Sequence, residues 1–296
     1  STSDPESRQL IIRNTITEVA YSVQAMVDAR HCLPVDYRLT NHNDRQAMGP
    51  MLRRAKSILR NNAFTALFDK GYYAGSELET AQQLGIRALV AVPAPASNAP
   101  DPLYNVEYFA YDPANDTYTC PEGHTLTTNG HVYSKHLSRS NPTSFHQYRT
   151  KACKTCAVRS LCTTAKNGKL IERNVYSPLF ERNRQNIQRN PELYKRRQAI
   201  VEHPFGTIKR QWGYGYVLTK RGMMSAAADV GLMLVAYNLR RIFNIVGLER
   251  LLVYCAAPLS VLWTVKTMFR ACWTGFGKRI KGAAYSAVYF QITIFN

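Results

Sequence analysis

The run Phe64–Asp69, Phe-Thr-Ala-Leu-Phe-Asp, sets a short uncharged stretch against an acid and is followed by Lys-Gly-Tyr-Tyr-Ala-Gly. A run of that length closed by a glycine turn predicts a buried strand. Asp69 then stands at the carboxyl end of a sheet, where open α/β sheets bind their ligands. Ala20–Thr40 holds two β-rich runs around a polar break at Ala29–His31. That pattern predicts a hairpin, with Asp28 ending its first strand and Asp36 in its second. Arg45–Arg60 carries Met48, Met51, Leu52, Ala55, Ile58 and Leu59 at helical spacing, with Asp44 placed to cap it. Ser76–Leu84 reads as a helix ended by Gly85, and Ile86–Val92 as a further strand. The order hairpin, helix, strand, helix, strand predicts an α/β fold, a mixed sheet with flanking helices.

With 296 residues, 45% of them hydrophobic, the chain can bury a sizeable core as one large domain with an insertion or as two modest ones. A formal charge of +18 and a pI near 9.7 point to a polyanionic partner. The cations are spread along the chain rather than gathered beside an apolar anchor, which favours nucleic acid over a membrane surface. Ser1–Arg8 is polar and no apolar core follows it, so no signal peptide is expected. The longest uncharged apolar run, Leu251–Val265, is interrupted by Pro258 and falls short of the roughly 20 residues that span a bilayer. It reads as a packing helix. The absence of an initiator methionine suggests a fragment or a processed chain.

Pro93, Pro95, Pro100, Pro102 and Pro113 mark a departure from the first domain. The expected division is a first part of the core over 1–95, a cysteine-rich insertion over 96–180, the rest of the core over 181–247, and a C-terminal extension of unknown role over 248–296. Within the insertion, Tyr104–Tyr111 and Thr117–Cys120 read as strands. Cys120 opens Cys-Pro-Glu-Gly-His, and Cys153, Cys156 and Cys162 follow with C-x2-C-x5-C spacing. Two thiolates of a C-x2-C pair fit one tetrahedral ion, and the other two complete a closed structural zinc site. Nearby Arg149, Lys151, Lys154 and Arg159 favour the thiolate forms. Disulfides are the competing reading, disfavoured without a secretion signal. His124 and His146 are candidate substitutes for one cysteine. Cys32, Cys255 and Cys272 read as small core residues.

The return to the core, Lys166–Arg197, is rich in Lys and Arg interleaved with Asn and Gln, and suits phosphate contacts. Within Tyr194–Arg210 a single acid, Glu202, lies among lysines and arginines. Pro191 suits a first helical turn, and Glu192–Val201 reads as helix. Pro204 is expected to kink that helix or to open a second one. If the path stays helical, Glu202 and Lys209 share a face two turns apart. Beyond them, Trp212 and Tyr214 in a Gly-aromatic loop are candidates for base stacking or for packing. Ser225–Val246 reads as a long helix.

These segments resemble the catalytic motifs of DDE transposases of bacterial insertion sequences, over about Asp4–Gly247. Tyr-Ser-Val-Gln-Ala-Met-Val-Asp-Ala-Arg-His resembles the introduction of the first acid, Asp28, and Asp-Lys-Gly-Tyr-Tyr that of the second, Asp69. Tyr194, Arg197, Glu202 and Lys209 resemble the third motif, with one residue more between Arg197 and Glu202 than in its commonest form. Arg221-Gly222 and Asn238-Leu239-Arg240-Arg241 are similar to later motifs, and Asp229 lies where relatives often carry an acid. The wording Val-Glu-His-Pro-Phe-Gly-Thr-Ile-Lys resembles the branch with a four-cysteine insertion between the second and third acids.

The resemblance implies a ribonuclease-H-like core, whose third hairpin strand has no assigned segment. It implies an enzyme in which Asp28, Asp69 and Glu202 hold Mg²⁺ or Mn²⁺, two ions in all. Tyr194, Arg196, Arg197, Lys209 and Trp212 would meet DNA, and Cys120, Cys153, Cys156 and Cys162 would hold structural zinc. The implied chemistry is cleavage of transposon-end DNA and strand transfer. Implied partners are double-stranded DNA (terminal inverted repeats and target) and a second copy of the chain, with no membrane and a cytoplasmic, nucleoid-associated bacterial setting. A decayed zinc-bearing DNA-binding protein and a nuclease without strand transfer are the alternatives. The family's amino-terminal helical DNA-binding region has no counterpart in the sequence.

Overall fold

The computed structural model describes residues 4–13, 16–42, 44–61, 63–94, 99–136, 142–215, 221–251 and 287–295. Cys255, Cys272 and most of the Leu251–Val265 run lie outside them. Two compact units divide the chain, one from Ser1–Ala91 with Asn186–Asn296 and one from Val92–Gln185.

The first unit opens with strands β1 (Arg8–Arg13), β2 (Ile16–Asp28) and β3 (Pro34–Thr40). Helix α1 (Met48–Leu59), strand β4 (Thr65–Phe68), helix α2 (Gly75–Gln83) and strand β5 (Arg87–Val90) follow. The second unit holds β6 (Ala110–Asp112), β7 (Thr117–Thr119), β8 (Thr125–Thr128), β9 (Tyr133–His136), β10 (Pro142–Arg149), the short helix α3 (Arg159–Cys162) and β11 (Ile171–Asn174). Helix α4 (Ser177–Arg189) then leads to α5 (Pro191–Gly206), α6 (Met223–Val246) and a last strand β12 (Ala287–Phe295) of the first unit.

The sheet of the first unit runs β1-β2-β12-β4-β5, with β3 also paired to β2. β2 is antiparallel to β1, β3 and β12, whereas β12, β4 and β5 are mutually parallel. β12 therefore separates the strand that ends in Asp28 from the strand that leads into Asp69. Val288 is in register with Asp28 on one side and with Ala66 on the other. The sequence signal for β12 is its run Val-Tyr-Phe-Gln-Ile-Thr-Ile-Phe, β-branched or aromatic at every position but Gln291.

Residues Ala20–Val27 of β2 are all buried, as a strand paired on both edges and covered on its faces requires. Its two polar members are satisfied: Gln24 donates to the Ser22 hydroxyl at 3.1 Å and accepts from the Tyr72 hydroxyl. One cover is α6, whose Ala226, Val230, Leu234 and Tyr237 recur at helical spacing against Tyr21, Val23, Leu39 and Ile208. A Cβ at Gly231 would meet the Tyr37 ring, so the close approach of α6 needs glycine there. The other is α5, whose Ile200, Val201 and Phe205 pack on Ala25, Val27, Leu67 and Leu89. Burying each such large side chain contributes about 1.5–3 kcal/mol, enough to seat the helix.

Three local expectations need correcting. Asp44 does not cap α1; Ala47 precedes that helix, with no side-chain cap, and the Asp44 carboxylate accepts from Gln24 instead. Tyr104–Tyr111 is largely two 3₁₀ turns, Pro102–Tyr104 and Val106–Tyr108, with strand only from Ala110. Asp101 and the prolines favour the turn there: Asp101 accepts from the Leu103 N–H at 2.9 Å. Finally, α5 neither stops nor restarts at Pro204. It runs through the proline and loosens into a π-helical turn, Thr207–Gln211. Pro204 has no N–H to give the Ile200 carbonyl, and the π turn begins three residues beyond it. The two-turn stacking of Lys209 on Glu202 therefore no longer follows from helical period.

The sheet of the second unit is antiparallel, β11-β10-β8-β7-β6, with β9 on β10. Its core is Phe109, Tyr118, Leu126, Tyr148 and Ile171. Asp116 organises the tyrosines, accepting from Tyr111 at 2.8 Å and Tyr148 at 2.6 Å. Among the described residues no helix is long and apolar enough to cross a membrane.

Candidate active site and cysteine cluster

Helix α5 presents two groups to the end of β4. The Tyr194 hydroxyl donates to the Phe68 carbonyl at 3.0 Å, and burial pushes that phenol's pKa up. One turn on, Arg197 Nη2 lies 3.9 Å from Asp69 Oδ1 while its guanidinium stands 5.7 Å from the Tyr194 ring centroid. Arg197 Nε is buried without a hydrogen-bond partner. Asp69 itself accepts from the Lys70 N–H at 2.6 Å and starts the turn Lys70–Tyr72. Gly71 in that turn is needed for close approach: a Cβ would sit 2.7 Å from Asp44 Oδ2.

Asp44 is thereby brought beside the Asp69 turn. Burial, and then the negative charge of Asp69, push its carboxyl up to about 6, against the hydrogen bond from Gln24. The sequence treated Asp44 as a structural residue first. Only the tertiary fold brings residues 44 and 69 together.

Asp28 ends β2 and is nearly buried, 9% exposed. Its carboxylate accepts from the His31 N–H at 2.6 Å, closing a turn in which Cys32 takes a φ of +58°. Helix α6 holds that turn from outside. The Tyr237 hydroxyl donates to the Cys32 carbonyl at 3.0 Å, Asn238 Nδ2 to that of Pro34 at 2.8 Å, and Arg241 Nε to that of His31 at 2.8 Å. Tyr237 was missed in the sequence because it shares the core's helical period. Its hydroxyl hydrogen goes to Cys32, so the 2.6 Å contact with His203 Nδ1 is donated by the imidazole. Burial, with the nearby Arg241 charge, lowers the His203 pKa.

Glu202 lies on α5 next to His203, whereas Ile200, Val201 and Phe205 of the same helix are buried. It is exposed and accepts from Gln198 at 2.8 Å. Arg196 is exposed, and Lys209 is half-buried within the π turn. Trp212 packs against the α6 cluster, with Arg240 5.8 Å from its ring centroid. Carboxylate oxygens are the donors a hard divalent cation takes. Yet Asp28, Asp69 and Glu202 are not gathered: among the described residues no three His, Cys, Asp or Glu side chains form a ready metal-binding group.

In the second unit Cys120, Cys153, Cys156 and Cys162 all line one small cavity, together with His124. All four are free thiols. The Cys162 thiol is pushed up by burial and then by the three other cysteines, against the Lys169 charge. Cys-Pro-Glu-Gly-His forms a tight turn in which the Cys120 N–H donates to the His124 carbonyl at 2.9 Å. The His124 N–H returns a bond to Cys120 Sγ at 3.3 Å. Gly168, at φ +84°, lets the chain pass Cys153, whose Cβ would lie 2.6 Å from an added Cβ. A four-thiol set fits structural zinc in composition. The thiols converge on a cavity without being drawn to ligand distance. His146 does not line that cavity; it sits on β10 opposite Arg173.

Residues 119–243 match the family model described as a transposase DDE domain. The matched span holds the four cysteines, Tyr194, Arg197, Glu202 and Lys209, whereas Asp28 and Asp69 precede it. No curated protein and no solved structure matches the chain. Over residues 119–243 the chain is thus similar to the transposase DDE domain family.

Proposed function

We propose that the chain is a DNA transposase that cuts transposon-end DNA and joins it to a target, with Asp28, Asp69 and Glu202 as its three acids in a ribonuclease-H-like core. The observation that carries the reading is the position of α5. One helix brings Tyr194 and Arg197 to the Asp69 end of β4 and, through His203 beside Glu202, meets Tyr237, which holds the Asp28 turn. A divalent ion, Mg²⁺ or Mn²⁺, would activate the attacking oxygen and stabilise the leaving one. The chain's own part is to orient the phosphate: Arg197, with a buried N–H left over, and Lys209 are the cations proposed to meet it. Arg196 and Trp212 are proposed to extend the DNA contact.

Zinc on Cys120, Cys153, Cys156 and Cys162 would close the second unit, consistent with the cysteine-insertion branch of the family. Double-stranded DNA is the proposed partner, and a second copy of the chain in the complex that holds two ends. Incubating end-bearing DNA with a target plasmid tests the reading: joined products support it, and nicks alone reduce it to a nuclease. The ungathered acids favour one further reading, a zinc-bearing DNA-binding protein without turnover. DNA binding with neither nicks nor joined products would support that reading.

A further inference from the structure

We propose that the open groove on the outer face of the second unit's sheet is a docking surface for a DNA phosphodiester backbone. The proposal rests on the transposase reading for its choice of polyanion but uses none of the three acids.

The groove follows from strand alternation. On β8, Leu126 points into the core while Thr125 and Thr127 face the other way. Arg149 on β10 is paired with Thr127 and shares its face with Gln147. Just past β10, Lys151 and Lys154 lie on a 3₁₀ turn at the groove's end, both exposed. Three cations thus line one concave surface, and its lining contains no aspartate or glutamate. Gln147 Oε1 accepts from Arg149 Nη2 at 2.9 Å, which fixes the guanidinium and leaves its other donors available.

The surrounding groups are short hydroxyls and amides, the donors that proteins place along a phosphate backbone. Such contacts fix the path of a duplex and carry little sequence information. The acid beside the groove on the same face, Glu172 of β11, stands opposite Gln147 and is already paired with Lys135.

The test uses the full chain and a short duplex of arbitrary sequence, with affinity measured across a salt series. The groove triple Arg149→Gln/Lys151→Gln/Lys154→Gln is compared with Arg53→Gln/Lys56→Gln/Arg60→Gln, an equal charge change around α1. The expected result is an affinity loss of about tenfold or more in the groove triple, with its log–log salt slope shallower by about 2–3. The single Lys154→Gln, at an exposed side chain, should lower the slope by about 1. Zinc content and the unfolding transition, measured on every variant, separate DNA contact from an effect on the cysteine cluster. Equal behaviour of the two triples, or an unchanged slope in both groove variants, overturns the proposal. Cleavage by Glu202→Gln reads the catalytic proposal separately, since that variant keeps the groove.

Discussion

Tyr237 ties helix α6 to the turn that carries Asp28: its hydroxyl donates to the Cys32 carbonyl at 3.0 Å and accepts from His203 at 2.6 Å. One hydroxyl thus links β2, α5 and α6 around the proposed first and third acids. Tyr237→Phe keeps the ring in the core and removes both bonds. The expected cost is about 1–2 kcal/mol by denaturant unfolding. A loss of DNA cleavage beyond what that destabilisation explains is also expected. Full activity in Tyr237→Phe would show that this linkage does not position the acids.

Arg197 and Asp69 make a long contact, 3.9 Å, and Asp69 is 46% exposed. Such a pair contributes roughly 0–1 kcal/mol. Arg197→Gln should therefore leave unfolding almost unchanged while lowering cleavage at least about tenfold. Arg197→Lys should restore little, because a single ammonium cannot replace the planar fork. A large drop in stability with cleavage retained would instead assign Arg197 to the core.

Asp44 supplies a pH dependence. Its native pKa, about 6, lies above the ordinary 3.8, so the folded chain holds this proton where the unfolded chain has released it. Stability from this group is full below about pH 4 and is lost as pH rises through 6. The shift sets an upper bound of about 3 kcal/mol, and partial exposure lowers this to about 1–2. In EDTA, Asp44→Asn should be the more stable protein at pH 7.5 by that amount, and the gain should vanish by pH 4. An equal difference at both pH values would mean that the carboxyl is not desolvated.

The cysteine cavity predicts one zinc per chain by elemental analysis. Cys156→Ser should lose the metal and destabilise the second unit. Gly168→Ala should do so by backbone, at roughly 2 kcal/mol or more, because it must hold φ +84° and displace Cys153. Zinc absent from the protein purified without chelators would contradict the assignment.

The sequence made the local elements readable where period and punctuation agree. The Asp28 hairpin, β4 with its acid and glycine turn, α2 ended by Gly85, and α6 all lie close to their expected spans. What it could not supply is which distant residues meet. β12 lies between β2 and β4 through pairings more than two hundred residues apart in sequence. Asp44 reaches the Asp69 turn only after α1 and β4 have packed. The roles of Tyr237, Asn238 and Arg241 on the Asp28 turn are likewise tertiary, although part of their segment stood out as a motif. Pro204 does not open a second helix, because α5 continues through it to Gly206 before the π turn starts.

The central claim, that Glu202 acts with Asp28 and Asp69 on DNA, is tested most directly by one comparison. Terminal-repeat DNA is incubated in Mg²⁺ or Mn²⁺ with the chain and with Glu202→Gln, alongside DNA binding and zinc content. Cleavage is expected to be lost in the variant, with binding and zinc unchanged. Equal cleavage by both proteins would contradict the claim.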